Sequence, residues 1–570
     1  MKNALVAGIL YQVADLLEMQ DVPFKPQAYR RAARAIESLQ KPIEDIVREG
    51  GTAALEDIPG VGKAIAEKVD EIVRTGALAY LDELKKGMPI NVDELFAVEG
   101  VGPKKAKLFY QKLGVRDLDS LERAAKSGKL RKLSGMGEKS EQHILESIKF
   151  ARTAGKRALL GYILPVADDI KKRLEDLCAV ENVEVAGSIR RMKETIGDID
   201  VLVITEHPAK VSDFFTNMPN VDRVVAKGPA RSTVQLAEGI ECDLRVVEKK
   251  SFGSALMYFT GNKDHNIALR RIAIKKGWKL SEYGLFAGAR QIAGKTEQGI
   301  YRKLGMPYIE PEMREATGEI EAAIKQKLPK LIGYDDVRGD MQTHTKWSDG
   351  TNTIEEMAEA AKALGQEYIG ISDHVGTLRI AGGMTAGGLA KQSKAVEKAR
   401  RAVKGTGILH GAEVSILAGG KLDMTDSVLK ELDYVVASVH GGFRQSEEQM
   451  TARIVASMEN EHVDIIGHPT GRLIQERKPY DVDMERLFET SKRTGTLLEI
   501  NSYPNRLDLN AENVRRAIEM GCKTIINTDA HNAEHLKFLR FGIATARRGW
   551  VEKKDVVNAL PMKRMLKALK

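Results

Sequence analysis

The stretch Gly187-Ser188-Ile189-Arg190-Arg191-Met192-Lys193-Glu194-Thr195-Ile196-Gly197-Asp198-Ile199-Asp200 decides how the front half of this chain is read. Side chains alternate along a strand, so Asp198 and Asp200 share one face while Ile199 and Val201 point into a core. Two carboxylates so close repel unless a cation sits between them. Asp243, in Ile240-Glu241-Cys242-Asp243-Leu244, adds a third carboxylate with apolar strand neighbours. Three such groups suit two Mg²⁺ ions, which favour oxygen ligands. One ion can activate an attacking hydroxyl while the other neutralises a departing pyrophosphate. Gly187-Ser188 falls where a strand meets a helix start, and backbone N–H groups with the hydroxyl can meet phosphate oxygens there. Arg191 can add charge-assisted bonds. In isolation an Asp-x-Asp pair reads as solvent-facing. Its combination with Gly-Ser, Arg and a later strand Asp is far more specific.

N-terminal to this stretch lie about 150 residues of helical texture with three similar turns. They are Ile58-Pro59-Gly60-Val61-Gly62-Lys63, Val98-Glu99-Gly100-Val101-Gly102-Pro103 and Leu133-Ser134-Gly135-Met136-Gly137-Glu138. Each resembles a helix-hairpin-helix motif. Gly60, Gly62, Gly100, Gly102, Gly135 and Gly137 permit a tight turn and a close approach to a DNA phosphate, which reads backbone and not sequence. One Gly-x-Gly turn serves packing as readily; three in series, each flanked by Lys or Arg, point to DNA. Leu5, Ile9, Val13 and Leu17 recur at helical spacing, so the N-terminus is an amphipathic helix and not a signal peptide.

C-terminal to it, Val183–Ala186, Asp198–Ile204 and Ile240–Val247 read as strands, and Ile320, Ile324 and Leu328 as a connecting helix ended near Pro329 and Gly333. From Arg338 strands and helices alternate. The strands are Gly339–Thr345, Tyr368–His374, Ile408–Val414, Tyr434–His440, Val463–His468, Thr496–Asn501 and Thr524–His531, with helices such as Ile354–Leu364 between them. Such βα repeats predict a parallel barrel or wound sheet. His344, Asp349, His374, Glu413, His440, His468, Asp529 and His531 gather at the strand C-terminal ends, which converge on one face in a barrel. Imidazoles with carboxylates suit Zn²⁺ or Mn²⁺. A lone His is usually an ordinary polar residue; this many at equivalent ends are not.

Composition agrees with this division. The 570 residues are 43% hydrophobic and 29% charged, which excludes wholesale disorder, and no run approaches the length of a membrane span. Net charge is +8, of which +7 lies in residues 1–330, whereas eight of the eleven histidines lie after residue 330. A basic front suggests a polyanion and a histidine-rich back suggests metal. Three scattered cysteines form neither a disulfide framework nor a zinc cluster, and fit a cytoplasmic location.

The Gly-Ser, Arg and Asp-x-Asp set with Asp243 resembles the nucleotidyltransferase signature of DNA polymerase family X, the polymerase beta relatives. Tyr258-Phe259-Thr260-Gly261-Asn262-Lys263-Asp264-His265-Asn266 and Arg270 match its nucleotide-lining segment, and Ser281–Leu285 its final sheet. The resemblance implies Asp198, Asp200 and Asp243 as catalytic carboxylates on Mg²⁺ or Mn²⁺. It implies Gly187, Ser188, Arg191, Tyr258, Phe259, Gly261 and Asn266 as dNTP contacts, and Arg270 as a template contact. Lys68 falls on the family's Schiff-base lysine; a helical lysine that helps to bind a 5′ end is the alternative.

The back half resembles the PHP (polymerase and histidinol phosphatase) domain, a distorted barrel with up to three metals, through Gly467-His468-Pro469 and Asn527-Thr528-Asp529-Ala530-His531. That order of domains is the bacterial and archaeal type of family X, in which the PHP domain is a 3′–5′ exonuclease and in some members an abasic-site endonuclease. The family opens with His-x-His, whereas Gln342 stands first here. A neutral amide is a poor ligand, so one metal is expected to be lost or weakened.

The expected fold is multidomain, α and α/β. Residues 1–88 form a lyase-like helical domain, 89–157 a second helical domain with two hairpin motifs, and 158–250 the nucleotidyltransferase palm. Residues 251–318 select the nucleotide, 319–335 link, and 336–570 form a (βα)7 PHP barrel. The expected protein is a monomeric gap-filling repair polymerase that takes gapped or primed DNA and dNTPs, with no membrane association. A template-independent nucleotidyltransferase is opposed by the hairpins and Arg270. A small-molecule phosphatase leaves the front half unused, and a PHP domain that only positions DNA is the third alternative.

Overall fold

The computed structural model describes every residue except 1, 2, 38, 40–42, 59, 88, 89, 97, 99, 155, 156, 379 and 380. Pro59 and Glu99 of the first two hairpin turns, and the expected boundary at 88/89, therefore lie outside the described residues. The chain divides into two compact units, residues 1–156 with 475–477, and residues 157–474 with 478–570.

The first unit is helical. The expected amphipathic helix is Asn3–Met19, whose Leu10, Val13, Ala14 and Leu17 are buried in one core with Val69, Ile72, Leu95 and Phe109. All three glycine turns join helical segments. They lie between Ile43–Glu56 and Lys63–Thr75, between Val92–Phe96 and Pro103–Leu113, and between the short 3-10 turn Leu130–Lys132 and Glu138–Ala154.

The second unit opens with a five-stranded sheet: β1 (Asn182–Val185), β2 (Asp198–Ile204), β3 (Val221–Ala226), β4 (Arg231–Leu236) and β5 (Glu241–Val246), in the order β1-β2-β5-β4-β3. Ile199, Val201 and Val203 on β2 are fully buried, as the alternation predicts. A three-stranded antiparallel sheet follows: β6 (Trp278–Ser281), β7 (Gly284–Ala287) and β8 (Arg290–Ala293). The connecting helix is shorter than expected. It spans Glu319–Ile324 and stops before Leu328, because Gln326 takes a left-handed φ of 57° that no helix continues through.

The parallel strands are β9 (Gly339–Thr343), β10 (Tyr368–Ile371), β11 (His374–Val375), β12 (Gly407–Ser415), β13 (Tyr434–Ser438), β14 (Ile465–Ile466), β15 (Leu497–Asn501) and β16 (Thr524–Asn527). They pair in chain order, with β10 and β11 both on β12. A Thr343–Ala530 bridge brings the last strand back to the first. Several strands end earlier than the sequence suggests. β14 stops two residues before His468 and β16 two before Asp529, and both residues have left-handed φ, 31° and 57°. The ladder cannot continue through such backbone, and the turn aims the side chain inward.

Within this unit the sheet and barrel are welded. Leu507, Phe541 and Ala544 of the barrel belong to the five-stranded sheet's apolar core. Arg472 pairs with Glu194 at 2.6 Å, and Arg547 with Glu312 at 2.7 Å. Among the described residues no helix is long and apolar enough to cross a membrane.

Two candidate catalytic centres

The parallel pairing of β2 with β5 sets Asp200 opposite Asp243, so the three expected carboxylates share one face of the sheet on neighbouring interior strands. Asp198 is exposed, while Asp200 and Asp243 are half-buried. Burial first, then the Asp198 and Asp243 charges, pushes Asp200 up to about 7. A carboxylate so placed asks for a cation. Asp243 already has one: Arg231 Nη2 lies 3.1 Å from each of its oxygens, and Thr233 also donates to it.

Beside these carboxylates is a cleft of about 380 Å³. It is lined by Gly187, Ser188, Arg191, Asp198, Asp200, Tyr258, Phe259, Gly261, Asn266 and Arg270, with Arg157, Asn262 and Lys263, which sequence reasoning did not single out. Gly187–Arg190 is a short helix directly after β1, and Gly187 has a φ of 64°. A Cβ there would sit 2.6 Å from Asp200 Oδ2, so only glycine lets the backbone pass this carboxylate. Ser188 Oγ and Asn266 Oδ1 are buried without a hydrogen-bond partner, although Asn266 Nδ2 donates to Tyr258 O at 2.7 Å. Arg191 is held by Glu315 at 2.8 Å and by Thr260 O. Tyr258 and Phe259 are half-buried, meet edge to face at 5.1 Å and form a wall of the cleft, with Phe259 also packed against the apolar cluster of Ala186, Leu202, Ala255 and Leu256.

In the barrel, fully buried Glu413 is the hub of the expected ligands. His440 Nε2 lies 3.1 Å and His468 Nε2 3.2 Å from its Oε1; His374 Nδ1 lies 3.2 Å and His344 Nε2 3.4 Å from its Oε2. His344 Nε2 is also 3.2 Å from Asp529 Oδ1, and His531 Nε2 is 3.5 Å from Asp349 Oδ2. Three groups bring their ligand atoms within 4.8 Å of one another: His344, Asp349, His374 and His531; His374, Glu413 and His440; and His344, Glu413 and Asp529. Both nitrogens of His344, with Nδ1 of His374 and of His468, are buried without a hydrogen bond. Burial opposes charge on His344, but Asp529 and Glu413 outweigh it and raise its pKa to about 10. Burial also acts to raise Asp349, yet His531, His344 and His374 hold it down at about 2. Buried imidazole nitrogens facing carboxylates are a mixed N/O donor set that fits divalent metal ions.

Gln342 is fully buried. With its amide oriented for hydrogen bonding, its nitrogen donates to both oxygens of Glu499, at 3.2 Å to Oε2. Glu499 in turn accepts the His468 N–H at 2.7 Å and Asn527 Nδ2 at 2.9 Å. Gln342 thus braces the shell behind the ligands. Glu499 was missed in the sequence; its place on the strand ending at Asn501, in register with the ligand-bearing strands, is the signal that marks it. Arg506 was missed too. It lies in the loop after β15, with Nε 3.3 Å from Asp529 Oδ2.

In the helical unit Gly60, Gly100 and Gly135 have left-handed φ of 86°, 82° and 76°. Gly62, Gly102 and Gly137 face open space. The helices after Gly62 and Gly102 start with no side-chain cap and no acid in the first turn, so their first-turn N–H groups, other than at Pro103, which has none, are available to an anion. The third differs: Glu138 and Glu141 occupy its first turn and pair with Arg131. Lys68 is half-buried, with Nζ 3.3 Å from Ala64 O and 4.9 Å from the Tyr80 ring centroid.

Comparison with known proteins finds relatives of both halves of the chain. The family model described as DNA polymerase beta thumb matches residues 255–315, and that of the PHP domain matches 340–503. A helix-hairpin-helix domain matches 1–78, and a SAM-like helix-hairpin-helix tandem matches 92–149. A Bacillus subtilis (strain 168) protein, "DNA polymerase/3'-5' exonuclease PolX", is 37% identical over 563 residues, covering 98% of this chain and 97% of its own. DNA polymerase lambda of Rattus norvegicus is 29% identical over 346 residues, covering 55% of this chain and 56% of its own. DNA polymerase lambda of Arabidopsis thaliana is 26% identical over 329 residues, covering 50% and 57%.

Proposed function

Because the chain belongs to the PolX family, the family X DNA polymerases that carry a PHP domain, we propose that it adds dNTPs to a primer at the 380 Å³ cleft and removes 3′ nucleotides at the barrel centre. Its substrates are gapped or primed DNA and dNTPs, its role is short-gap repair, and it acts as a monomer. The observation that carries this reading is that Asp200, which stands opposite Asp243 in the sheet, meets the Gly187-Ser188 turn and the Tyr258–Arg270 segment at one cleft.

Asp198, Asp200 and Asp243 would hold Mg²⁺ or Mn²⁺. When bound, the ions lower the cost of charge on the attacking 3′ oxygen and on the departing pyrophosphate. Gly187, Ser188 and Arg191 hold the triphosphate. Tyr258 and Phe259 press on the sugar, Gly261 keeps that wall close, Asn266 meets the nascent pair, and Arg270 meets the template. The 3′ oxygen bonds to the α-phosphorus as the bridge to the β-phosphate breaks. In the barrel, His344, Asp349, His374, Glu413, His440, His468, Asp529 and His531 would hold Zn²⁺ or Mn²⁺ for phosphodiester hydrolysis. Turns at Gly60, Gly62, Gly100 and Gly102 grip DNA phosphates, with Gly135 and Gly137 contributing less beside Glu138. Lys68 serves as lyase nucleophile or as a 5′-end contact. Primer extension and degradation on gapped DNA, in Mg²⁺ and in Mn²⁺, test the reading together.

Gly187→Ala should slow primer extension at least about 10-fold, because the added Cβ must displace Asp200 and the left-handed backbone is strained by about 1–2 kcal/mol. Single-turnover extension checks it; a wild-type rate would show that Asp200 needs no such clearance.

Asp200 also gives a pH dependence. Its folded pKa is raised above its unfolded value of 3.8, so the protonated form stabilises the metal-free fold. That contribution is complete below about pH 3.8 and is lost as pH rises through about 7. A divalent cation must displace the proton below that point, so Mg²⁺ affinity should fall about 10-fold per unit below pH 7. Mg²⁺ should therefore raise Tm more at pH 8 than at pH 6, and Asp200→Asn should remove the difference. An equal rise at both pH values would contradict the assignment.

A further inference from the structure

We propose that Arg506 is the residue that holds the scissile phosphate at the barrel's metal centre. This rests on the nuclease reading of that centre. Its Nε lies 3.3 Å from Asp529 Oδ2, the carboxylate whose Oδ1 faces His344 at 3.2 Å. Asn501 Nδ2 also donates to Oδ2, at 3.1 Å, so that oxygen is already supplied with a donor. The guanidinium forms no side-chain hydrogen bond among the described residues and is half-buried, so its remaining N–H groups are neither satisfied by protein nor lost in bulk solvent. The eight ligands around it are imidazoles and carboxylates, groups that bind cations. A phosphodiester entering this pocket needs an anion-binding donor as well, and a planar fork of N–H groups fits two phosphate oxygens.

The loop that carries Arg506 is fixed on both sides. Leu507 is 1% exposed in the apolar core of the five-stranded sheet. Arg472, itself paired with Glu194 at 2.6 Å, donates to Leu507 O. Asp508 accepts Thr470 N at 3.0 Å and Thr470 Oγ1 at 2.9 Å. Thr470 is two residues from the ligand His468. The polymerase sheet thus holds the loop against the nuclease centre, and the guanidinium is positioned before substrate arrives.

The test compares wild type, Arg506→Gln and Arg506→Lys, each loaded with Mn²⁺. Metal per chain is measured first, then binding of inorganic phosphate by calorimetry, then degradation of single-stranded DNA. Arg506→Gln should keep its Mn²⁺, bind phosphate about 10- to 100-fold more weakly and degrade DNA about 100-fold more slowly. Arg506→Lys should recover part of both, since it keeps the charge without the fork. Unchanged phosphate binding in Arg506→Gln would overturn the assignment. So would a loss of Mn²⁺ in proportion to the loss of phosphate binding, which would make Arg506 only a support for Asp529. A wild-type chain that degrades no DNA would sink the nuclease reading instead, and the phosphate measurement would still decide Arg506.

Discussion

Asp200→Ala should cripple nucleotide addition, lowering its rate by about 10²- to 10³-fold, while DNA binding and 3′ degradation persist. Asp200 stands opposite Asp243 in the sheet and beside Asp198, and its pKa of about 7 reflects a negative charge that the protein alone leaves uncompensated. The ions that these carboxylates would hold stabilise charge at both ends of the transferred phosphoryl group. Loss of one strong electrostatic contact in a closed site is worth about 3–4 kcal/mol, and each 1.36 kcal/mol is tenfold in rate. DNA affinity should change little, because it comes from phosphate contacts spread over other residues. Single-turnover extension of a gapped primer, with DNA affinity from anisotropy, checks both halves. Extension at the wild-type rate would remove the carboxylate assignment.

Glu413→Ala should abolish degradation and empty more of the barrel centre than loss of a ligand that serves one group, such as Asp349. Its two oxygens lie within 3.1–3.4 Å of four imidazoles, those of His344, His374, His440 and His468. Burial acts to raise its pKa, yet His374 and His440 outweigh it and hold it well below the usual carboxylate range. Two of the three ligand groups include it, so its loss should lower Mn²⁺ per chain by more than one ion if all three groups fill. Asp349→Ala, at the partly exposed group, should cost one. Polymerisation should continue in both. Metal analysis beside single-strand degradation decides the matter: equal metal loss in the two variants would show that Glu413 is not the hub.

Both centres were legible in the sequence because their residues sit on elements whose period is plain. Asp198 and Asp200 bracket Ile199 on a strand, and four of the eight candidate barrel ligands, His344, His440, His468 and Asp529, lie one or two residues beyond strand ends, where the fold itself gathers them. What sequence could not supply was partnership across the chain. Gln342 reads as a broken ligand, yet its amide is engaged by Glu499, 157 positions later, and only closure of the barrel puts the two side by side. Arg231 likewise meets Asp243 only because β4 and β5 are antiparallel neighbours. Strand ends were overrun at His468 and Asp529 because their residue types say nothing of a left-handed φ. The helix after Glu319 ended early for the same reason, at Gln326. The third hairpin matched the other two in its glycines, but Glu138 and Glu141 fill the helix start that the first two leave open.

On the proposed reading, one chain carries two independent metal-dependent centres, one adding nucleotides and one removing them. The most direct test follows a 5′-labelled primer on gapped DNA with and without dNTPs, in Mg²⁺ and in Mn²⁺, for wild type, Asp200→Ala and Glu413→Ala. Wild type should lengthen the primer with dNTPs and shorten it without them. Asp200→Ala should only shorten it, and Glu413→Ala should only lengthen it. A single substitution that removes both products, in chains that still bind DNA and melt as wild type, would contradict two separate centres.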